Sequence, residues 1–408
     1  MSRVIKKFGG TSLRDMDCIR NAAGRIKKAY EAGDEVVVAV SAMAGTTDRL
    51  ISQCIEASAL CDEDEFDVVV STGEQVSAGL LAIVLKDMGV PARSYSGWQV
   101  PIHTDQAHGA AIISRIEAKA LEDLIRERQV PVVAGFQGLG PDGRVTTIGR
   151  GGTDLTAVAL AHALGAERCD IYTDVSGVYS ADPRVVARAR HLAMISYEEM
   201  LEMTSVGAKV LQQRAVALAM SRQVRIQVLS SFGEQPGTLV VGEDEMVERQ
   251  HVSGIAFSRD VAKLTLFGLK DRPGTMAALM APLSEAGINV DLIVQNVSSD
   301  GKLADVTFTV KSGDFERGRA TLAQAREALG YSELQGSDDV AKVSVIGLGM
   351  RGQAGIAGTL FQTLADKGIN IQAISSSDIK ISILIAAEYA ELAVRALHTA
   401  YGLDDGAE

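Results

Sequence analysis

A duplicated segment divides this chain before any other feature is considered. The run VAKLTLFGLKDRPGTMAALMAPLSEAGINVDLIVQNVSS, headed by Val261, returns as VAKVSVIGLGMRGQAGIAGTLFQTLADKGINIQAISSSD, headed by Val340. Each copy reads strand, glycine-containing loop, amphipathic helix, Gly-Ile-Asn, strand. A period of roughly 80 residues is too long for a solenoid and suits two copies of one small α+β unit. The chain has 408 residues, so most of it lies outside the repeat. At roughly 150 residues per domain, two or three domains are expected.

The part before the repeat alternates between two textures. Val4–Phe8, Glu35–Val40, Val130–Phe136, Cys169–Thr173 and Val224–Leu229 read as strands. EVVVAV, at Glu35, is a continuous β-branched run of the kind that a sheet buries on both faces. Leu13–Ala32, Ile113–Arg128, Asp154–Leu164, Glu198–Met203 and Ala208–Ser221 read as helices between them. Strands alternating with helices predict an α/β fold: a mainly parallel sheet sandwiched by helices. The texture changes at Gly233–Arg249, which is turn-rich and then acidic. The expected domains are therefore 1–245 and 246–408, with repeat copies near 261–335 and 340–408.

Hydrophobic residues make up 47% and charged residues 23% of the chain, which excludes disorder as its main state. The net charge is −12, from 40 basic and 52 acidic residues. A broad phosphate-gripping face needs the opposite sign, so no nucleic-acid partner is expected. Apolar stretches such as Thr156–Ala166 fall short of a ~20-residue span, and MSRVIKKFGG is followed by no apolar run, so no membrane partner is expected. The four cysteines, Cys18, Cys54, Cys61 and Cys169, form no C-x-x-C pair, and the six histidines are scattered singly. No protein-built metal site or disulfide framework is expected, and a cytoplasmic setting fits.

Four stretches could carry chemistry. Lys7-Phe8-Gly9-Gly10-Thr11-Ser12 joins the first strand to the first helix, where bare backbone and a helix N-terminus suit a phosphate and Lys7 adds a point charge. A glycine turn capped by Thr11 or Ser12 is equally open. No G-x-x-x-x-G-K-[ST] occurs, so this is not a Walker loop. Thr147-Ile148-Gly149-Arg150-Gly151-Gly152-Thr153-Asp154 sets an arginine fork beside bare backbone, as a carboxylate or phosphate requires. Its plain alternative is a tight turn with Thr153 or Asp154 as N-cap. Ser71-Thr72-Gly73-Glu74 reads first as a capping box opening the helix Gln75–Met88, and otherwise as a place where Glu74 receives an ammonium. The loop from Tyr172 to Arg184 leaves the C-terminal end of a strand, where open α/β sheets bind ligands. Gly347-Leu348-Gly349-Met350-Arg351-Gly352 matches G-x-G-x-x-G, but fewer than about 60 residues follow, too few for a dinucleotide fold.

These motifs together resemble the aspartate kinases of the amino-acid kinase family. KFGGTS, SAMAGTTD from Ser41, STGE, AGFQG from Ala134, TTIGRGGTD from Thr146, YTDVSGVYSADPR from Tyr172 and VGAKVL from Val206 stand in the family's order. The repeat resembles tandem ACT domains, ferredoxin-like α+β units that bind amino acids as feedback effectors. In that family one ACT unit interrupts the other, so a segment before Lys263 is expected to pair with the second copy.

The resemblance implies transfer of the γ-phosphoryl of ATP, with Mg²⁺, to the β-carboxylate of L-aspartate. It implies that Lys7, Gly9 and Gly10 contact the phosphates and that Asp154 orients Lys7. Glu74 would hold the substrate ammonium and Arg150 a carboxylate, beside Gly151 and Gly152, with Ser41 and Thr47 lining the site. Thr173, Asp174, Tyr179, Ser180, Asp182 and Arg184 would surround the nucleotide, with Lys209 near its phosphates. In the first ACT copy, Asp271, Gly274, Thr275, Met276, Asn289, Gln295 and Asn296 would hold an effector with Asn370, lysine or threonine being usual. A homo-oligomer through the ACT domains is implied, and a shorter subunit from an internal start such as Met246 is left open. Two departures stand out: Thr153 in place of serine, and Gln353-Ala354-Gly355 in place of His-Pro-Gly. The other readings weighed were an amino-acid kinase acting on glutamate and a non-catalytic amino-acid sensor; a fused homoserine dehydrogenase fails on length.

Overall fold

The computed structural model describes residues 2–208, 210–246, 251–350, 353 and 355–404. Lys209, Arg351, Gly352 and Ala354 lie outside the described residues. The chain forms two compact units: 1–178, 191–204 and 209–247 in the first; 179–190, 205–208 and 248–408 in the second.

The first unit is built on eight strands: β1 (Arg3–Phe8), β2 (Glu35–Val40), β3 (Ala92–Tyr95), β4 (Val130–Ala134), β5 (Arg168–Thr173), β6 (Met194–Ser196), β7 (Ile226–Ser230) and β8 (Thr238–Val241). Their order in the sheet is β6-β8-β7-β5-β1-β2-β4-β3. The pairs from β7 across to β3 are parallel. β8 runs antiparallel to β7 and parallel to β6, so the sheet is mainly parallel. Alternation along β1 sorts its side chains onto two faces. Val4 and Phe8 join Val36, Val38 and Val40 against Ile19, Ala23 and Ile26 of helix α1 (Met16–Glu31) and Leu81 and Leu85 of helix α2 (Thr72–Asp87). Helix α3 (Gly152–Ala163), with Leu155, Ala157, Val158 and Leu160 all buried, packs on β1 and β2.

Several local expectations shift. Ile113–Ile116 is a strand, because it pairs antiparallel with Ile102–Thr104 across a register shift at His103/Thr104, and the helix begins only at Lys119. The first helix starts at Met16, since the Asp15 side chain accepts from the Cys18 N–H and sets the N-cap there. The helix Glu63–Val70 runs almost directly into α2, giving a 25-residue stretch long and apolar enough to cross a membrane, which the sequence reading passed over. Over half of its most apolar window is buried within the protein.

The second unit holds two four-stranded antiparallel sheets. One contains β10 (Ala262–Lys270), β11 (Ile293–Val297), β12 (Leu303–Val310) and β13 (Glu333–Ser337), in the order β11-β12-β10-β13. The other contains β9 (Gly254–Ser258), β14 (Val340–Ile346), β15 (Ala373–Ser376) and β16 (Lys380–Ala386), in the order β15-β16-β14-β9. β9 thus fills the place that β13 fills in the first copy, pairing Gly254 with Ile346 and Ser258 with Lys342. Helices Thr275–Glu285 and Phe315–Gln324 belong to the first copy, Ile356–Asp366 and Ala390–Ala400 to the second. The G-x-G-x-x-G stretch follows a strand of an antiparallel sheet, not the parallel βαβ unit that a dinucleotide needs.

Candidate active site

The site grows from the C-terminal end of β1. Lys7 lies on the α3 side of the sheet, in register with Ala39 and Ile171, and its ammonium meets Asp154 Oδ1 at 2.7 Å. Both side chains are about one-tenth exposed. This is an ion pair without the alignment of a hydrogen bond. The other Asp154 oxygen accepts from the Gln212 N–H at 3.3 Å. Asp154 sits in the first turn of α3, whose N-cap is Gly151 in a left-handed conformation with no side-chain cap. The N-cap roles considered for Thr153 and Asp154 are therefore not taken up. Nor do Thr11 or Ser12 cap the turn after β1; Ser12 Oγ instead meets Ser231 Oγ.

Glu74 has the most unusual environment. The expected capping box does not form: Ser71 is itself helical, and its hydroxyl donates to Val68 O because the preceding helix is still running. Glu74 turns inward, 3% exposed, and one oxygen accepts from the Ala42 N–H at 3.0 Å. The other oxygen is buried with no hydrogen-bond partner. Burial pushes the carboxyl up from 4.5 to about 7, against the pull of the Ala42 N–H. Gly73 makes this approach feasible, since a β-carbon there would lie 2.8 Å from the Ala42 side chain. A buried carboxylate oxygen with nothing to accept is a waiting partner for a cation.

Lys7, Gly10, Glu74 and Asp154 line one cavity of about 370 Å³. Ser41, Thr47, Arg150, Gly151 and Gly152 line it too. The Arg150 side chain is 90% exposed, 3.7 Å from Asp48. Its backbone is held more firmly: Gln212 Nε2 donates to Arg150 O, and Arg214 donates to Ile148 O and Ala111 O. Gly151, at φ 73°, is packed so closely that a β-carbon would sit 2.6 Å from Gln212 Cγ.

Other predicted residues lie elsewhere. Thr173, the last residue of β5, donates from its hydroxyl to Asp174 just beyond it, off this cavity. Tyr179, Ser180, Asp182 and Arg184 fall in the second unit. Arg184 grips Asp182 through Nη2 at 2.6 Å and holds that carboxyl below its ordinary range. Lys209 is outside the described residues. In the first ACT copy Gly274 is the left-handed N-cap of Thr275–Glu285, and Gln295 donates to Asp271 Oδ1 at 3.4 Å. The Thr275 N–H is already given to Arg272 O, while Asn289, Asn296 and Asn370 are exposed.

Sequence reasoning missed two residues. Asp67, fully buried, accepts from His108 Nδ1, the Gly109 N–H and both the N–H and hydroxyl of Thr147. It fixes the strand that leads into the Arg150 turn, and nothing local in EDEFDVVV announces it. Phe136, at φ 67°, is a bulky residue in the left-handed region on the cavity wall. The flanking glycines of AGFQG were its only signal.

Residues 2–230 match the amino acid kinase family, and 263–330 and 343–401 each match an ACT domain. An aspartate kinase of Stutzerimonas stutzeri is 50% identical over 99% of this chain and 98% of its own length. An aspartokinase of Mycolicibacterium smegmatis is 44% identical over 99% of this chain and 97% of its own. Among solved structures, E. coli aspartokinase III in complex with aspartate and ADP has a TM-score of 0.82 at 28% identity, covering 97% of this chain and 99% of that one. The same enzyme in complex with lysine and aspartate has a TM-score of 0.76, covering 97% of this chain and 98% of that one at 28% identity. The chain belongs to the amino acid kinase family, in its aspartate kinase branch with paired ACT domains.

Proposed function

We propose that the chain transfers the γ-phosphoryl group of ATP to the β-carboxylate of L-aspartate, giving 4-phospho-L-aspartate and ADP. The observation that carries the reading is the shared cavity of Glu74, with its unpartnered oxygen, and the Lys7–Asp154 pair. The acceptor ammonium pairs with Glu74, and Arg150 takes a carboxylate with the bare backbone of Gly151 and Gly152 beside it. Ser41 and Thr47 complete the acceptor wall.

The nucleophile is a carboxylate with a free pKa near ~4, ionised at neutral pH, so no general base is needed. Its oxygen attacks the γ-phosphorus as the bond to the ADP oxygen breaks. Charge on the transferred group falls to Lys7, held in place by Asp154, and to the backbone N–H of Gly10, since the Gly9 N–H is already given to Tyr172 O. The nucleotide is assigned to the polar stretch of chain that carries Thr173, Asp174, Tyr179, Asp182 and Arg184, with Lys209. Among the described residues no group of three His, Cys, Asp or Glu could hold a metal. This donor set suits a Mg²⁺ ion carried on the nucleotide's own phosphates, whose charge it neutralises.

The ACT copies bind amino-acid effectors, lysine and threonine first, at Asp271, Gly274–Met276 and Gln295. The chain self-associates through its ACT sheets; exposed Ile293, Val297 and Ile374 on β11 and β15 support this. Replacing Glu74 by Gln tests the acceptor site. The aspartate KM is expected to rise at least about tenfold, as for a lost charge-assisted contact, with the ATP KM held within twofold. An unchanged aspartate KM would contradict the assignment.

A further inference from the structure

Ser180, His398 and Asp404 form a continuous hydrogen-bonded chain inside the second unit. Ser180 Oγ lies 2.8 Å from His398 Nε2, and His398 Nδ1 lies 3.0 Å from Asp404 Oδ1. With the carboxylate on Nδ1–H, the Nε2 lone pair is left to accept the Ser180 hydroxyl hydrogen. Burial holds the imidazole below its ordinary range, against the pull of Asp404, which keeps it neutral. Ser180 and His398 are both 0% exposed, so no substrate reaches this serine and the triad is not hydrolytic.

Its position gives it another use. Ser180 belongs to 179–190, the part of the YTDVSGVYSADPR region that packs with the second unit. Ala181, Val186 and Ala189 of this segment share a core with Val343, Val345 and Leu397 of the second ACT copy. Backbone bonds add to the tie: the Ile255 N–H donates to Ser180 O at 2.7 Å, and Ala189 bridges Asp404. Ser180 Oγ also accepts from the Arg190 N–H at 2.8 Å, closing the base of the segment. Two and four residues beyond Ser180 stand Asp182 and its partner Arg184.

We infer that His398, held by Asp404 and holding Ser180, is a positioning residue through which the second ACT copy sets the conformation of the nucleotide-contacting segment Tyr179–Arg184. The inference rests on the proposed assignment of that segment to ATP. It makes the second copy's last helix, rather than its glycine loop, the output of that domain.

The test is steady-state kinetics on the full chain with Ser180→Ala, His398→Ala, His398→Gln and Arg184→Ala. Ser180→Ala removes one hydroxyl, with its contacts to His398, the Arg190 N–H and Leu403 O, and is expected to fold; it should raise the ATP KM at least about tenfold, with the aspartate KM within twofold. His398→Ala should raise the ATP KM in the same selective way, and the Ser180→Ala/His398→Ala double variant should be no worse than Ser180→Ala alone, because that variant already breaks the link to His398. His398→Gln, whose amide reaches the Ser180 hydroxyl, should recover most of the loss. A wild-type ATP KM in Ser180→Ala would overturn the inference. So would a parallel loss of kcat and both KM values, which marks general damage. Arg184→Ala separates the two readings: an unchanged ATP KM there removes the nucleotide assignment and the inference with it. A raised ATP KM in Arg184→Ala beside a wild-type value in Ser180→Ala removes the inference alone.

Discussion

Lys7 and Glu74 are each the less comfortable member of an arrangement that stability alone would not choose. Lys7 and Asp154 are about nine-tenths buried and 2.7 Å apart, so removing either leaves the other buried without its partner. Replacing Lys7 by Met should cost about 3–5 kcal/mol in denaturant unfolding by leaving Asp154 unpaired. It should also lower turnover by at least about a thousandfold, as for the loss of a transition-state charge contact. Lys7→Met combined with Asp154→Asn should regain most of the stability and none of the turnover. Recovery of both would make the pair structural only. Glu74 works in the opposite sense. Folding raises its pKa from 4.5 to about 7. The folded state therefore holds this proton more tightly, and the contribution is present below pH 4.5 and lost as pH climbs through 7. Glu74→Gln should thus stabilise the unliganded protein by about 1–3 kcal/mol at pH 8 and change little at pH 4. Since only the ionised form takes an ammonium, the wild-type aspartate KM should rise about tenfold between pH 8 and pH 6. A flat profile would mean that Glu74 is not the ammonium's partner.

Among the elements, those that position the site were legible where their signal was local. EVVVAV is the buried strand it reads as, and GRGGTD opens a buried helix. What escaped depends on contacts far apart in the chain. Ser71 and Glu74 have capping-box spacing, yet the helix Glu63–Val70 already supplies that turn, which frees Glu74 to face Ala42. ISRI lies beside a helical run and becomes a strand because Ile102–Thr104 pairs with it. Asp67 is invisible as a linchpin until Thr147 lies against it, 80 residues further on. Asp67→Ala should therefore cost about 3 kcal/mol in thermal unfolding, through stranded donors at Thr147 and Gly109. The aspartate KM should rise with it, because the Arg150 turn loses its anchor. An intact KM in the folded variant would show that the turn holds itself.

At the scale of the whole molecule, the repeat foretold two α+β units and the resemblance foretold a segment before Lys263 pairing with the second copy; that segment is β9, which completes the second sheet. Sequence order alone also hid that 179–190 belongs with the second unit, because its apolar residues Ala181, Val186 and Ala189 find their core more than 150 residues away at Val343 and Leu397. Exposed Val297 and Ile374 on β11 and β15 carry the proposed self-association. Val297→Lys with Ile374→Lys should lower the mass seen by sedimentation velocity, and an unchanged mass would place the interface elsewhere. The central claim is the reaction itself. It is tested most directly by trapping the acyl phosphate with hydroxylamine after incubation with ATP and Mg²⁺, using L-aspartate and L-glutamate in turn, with and without lysine plus threonine. The account predicts hydroxamate from aspartate alone, suppressed by the effectors; product from glutamate instead, or from neither acid, would contradict it.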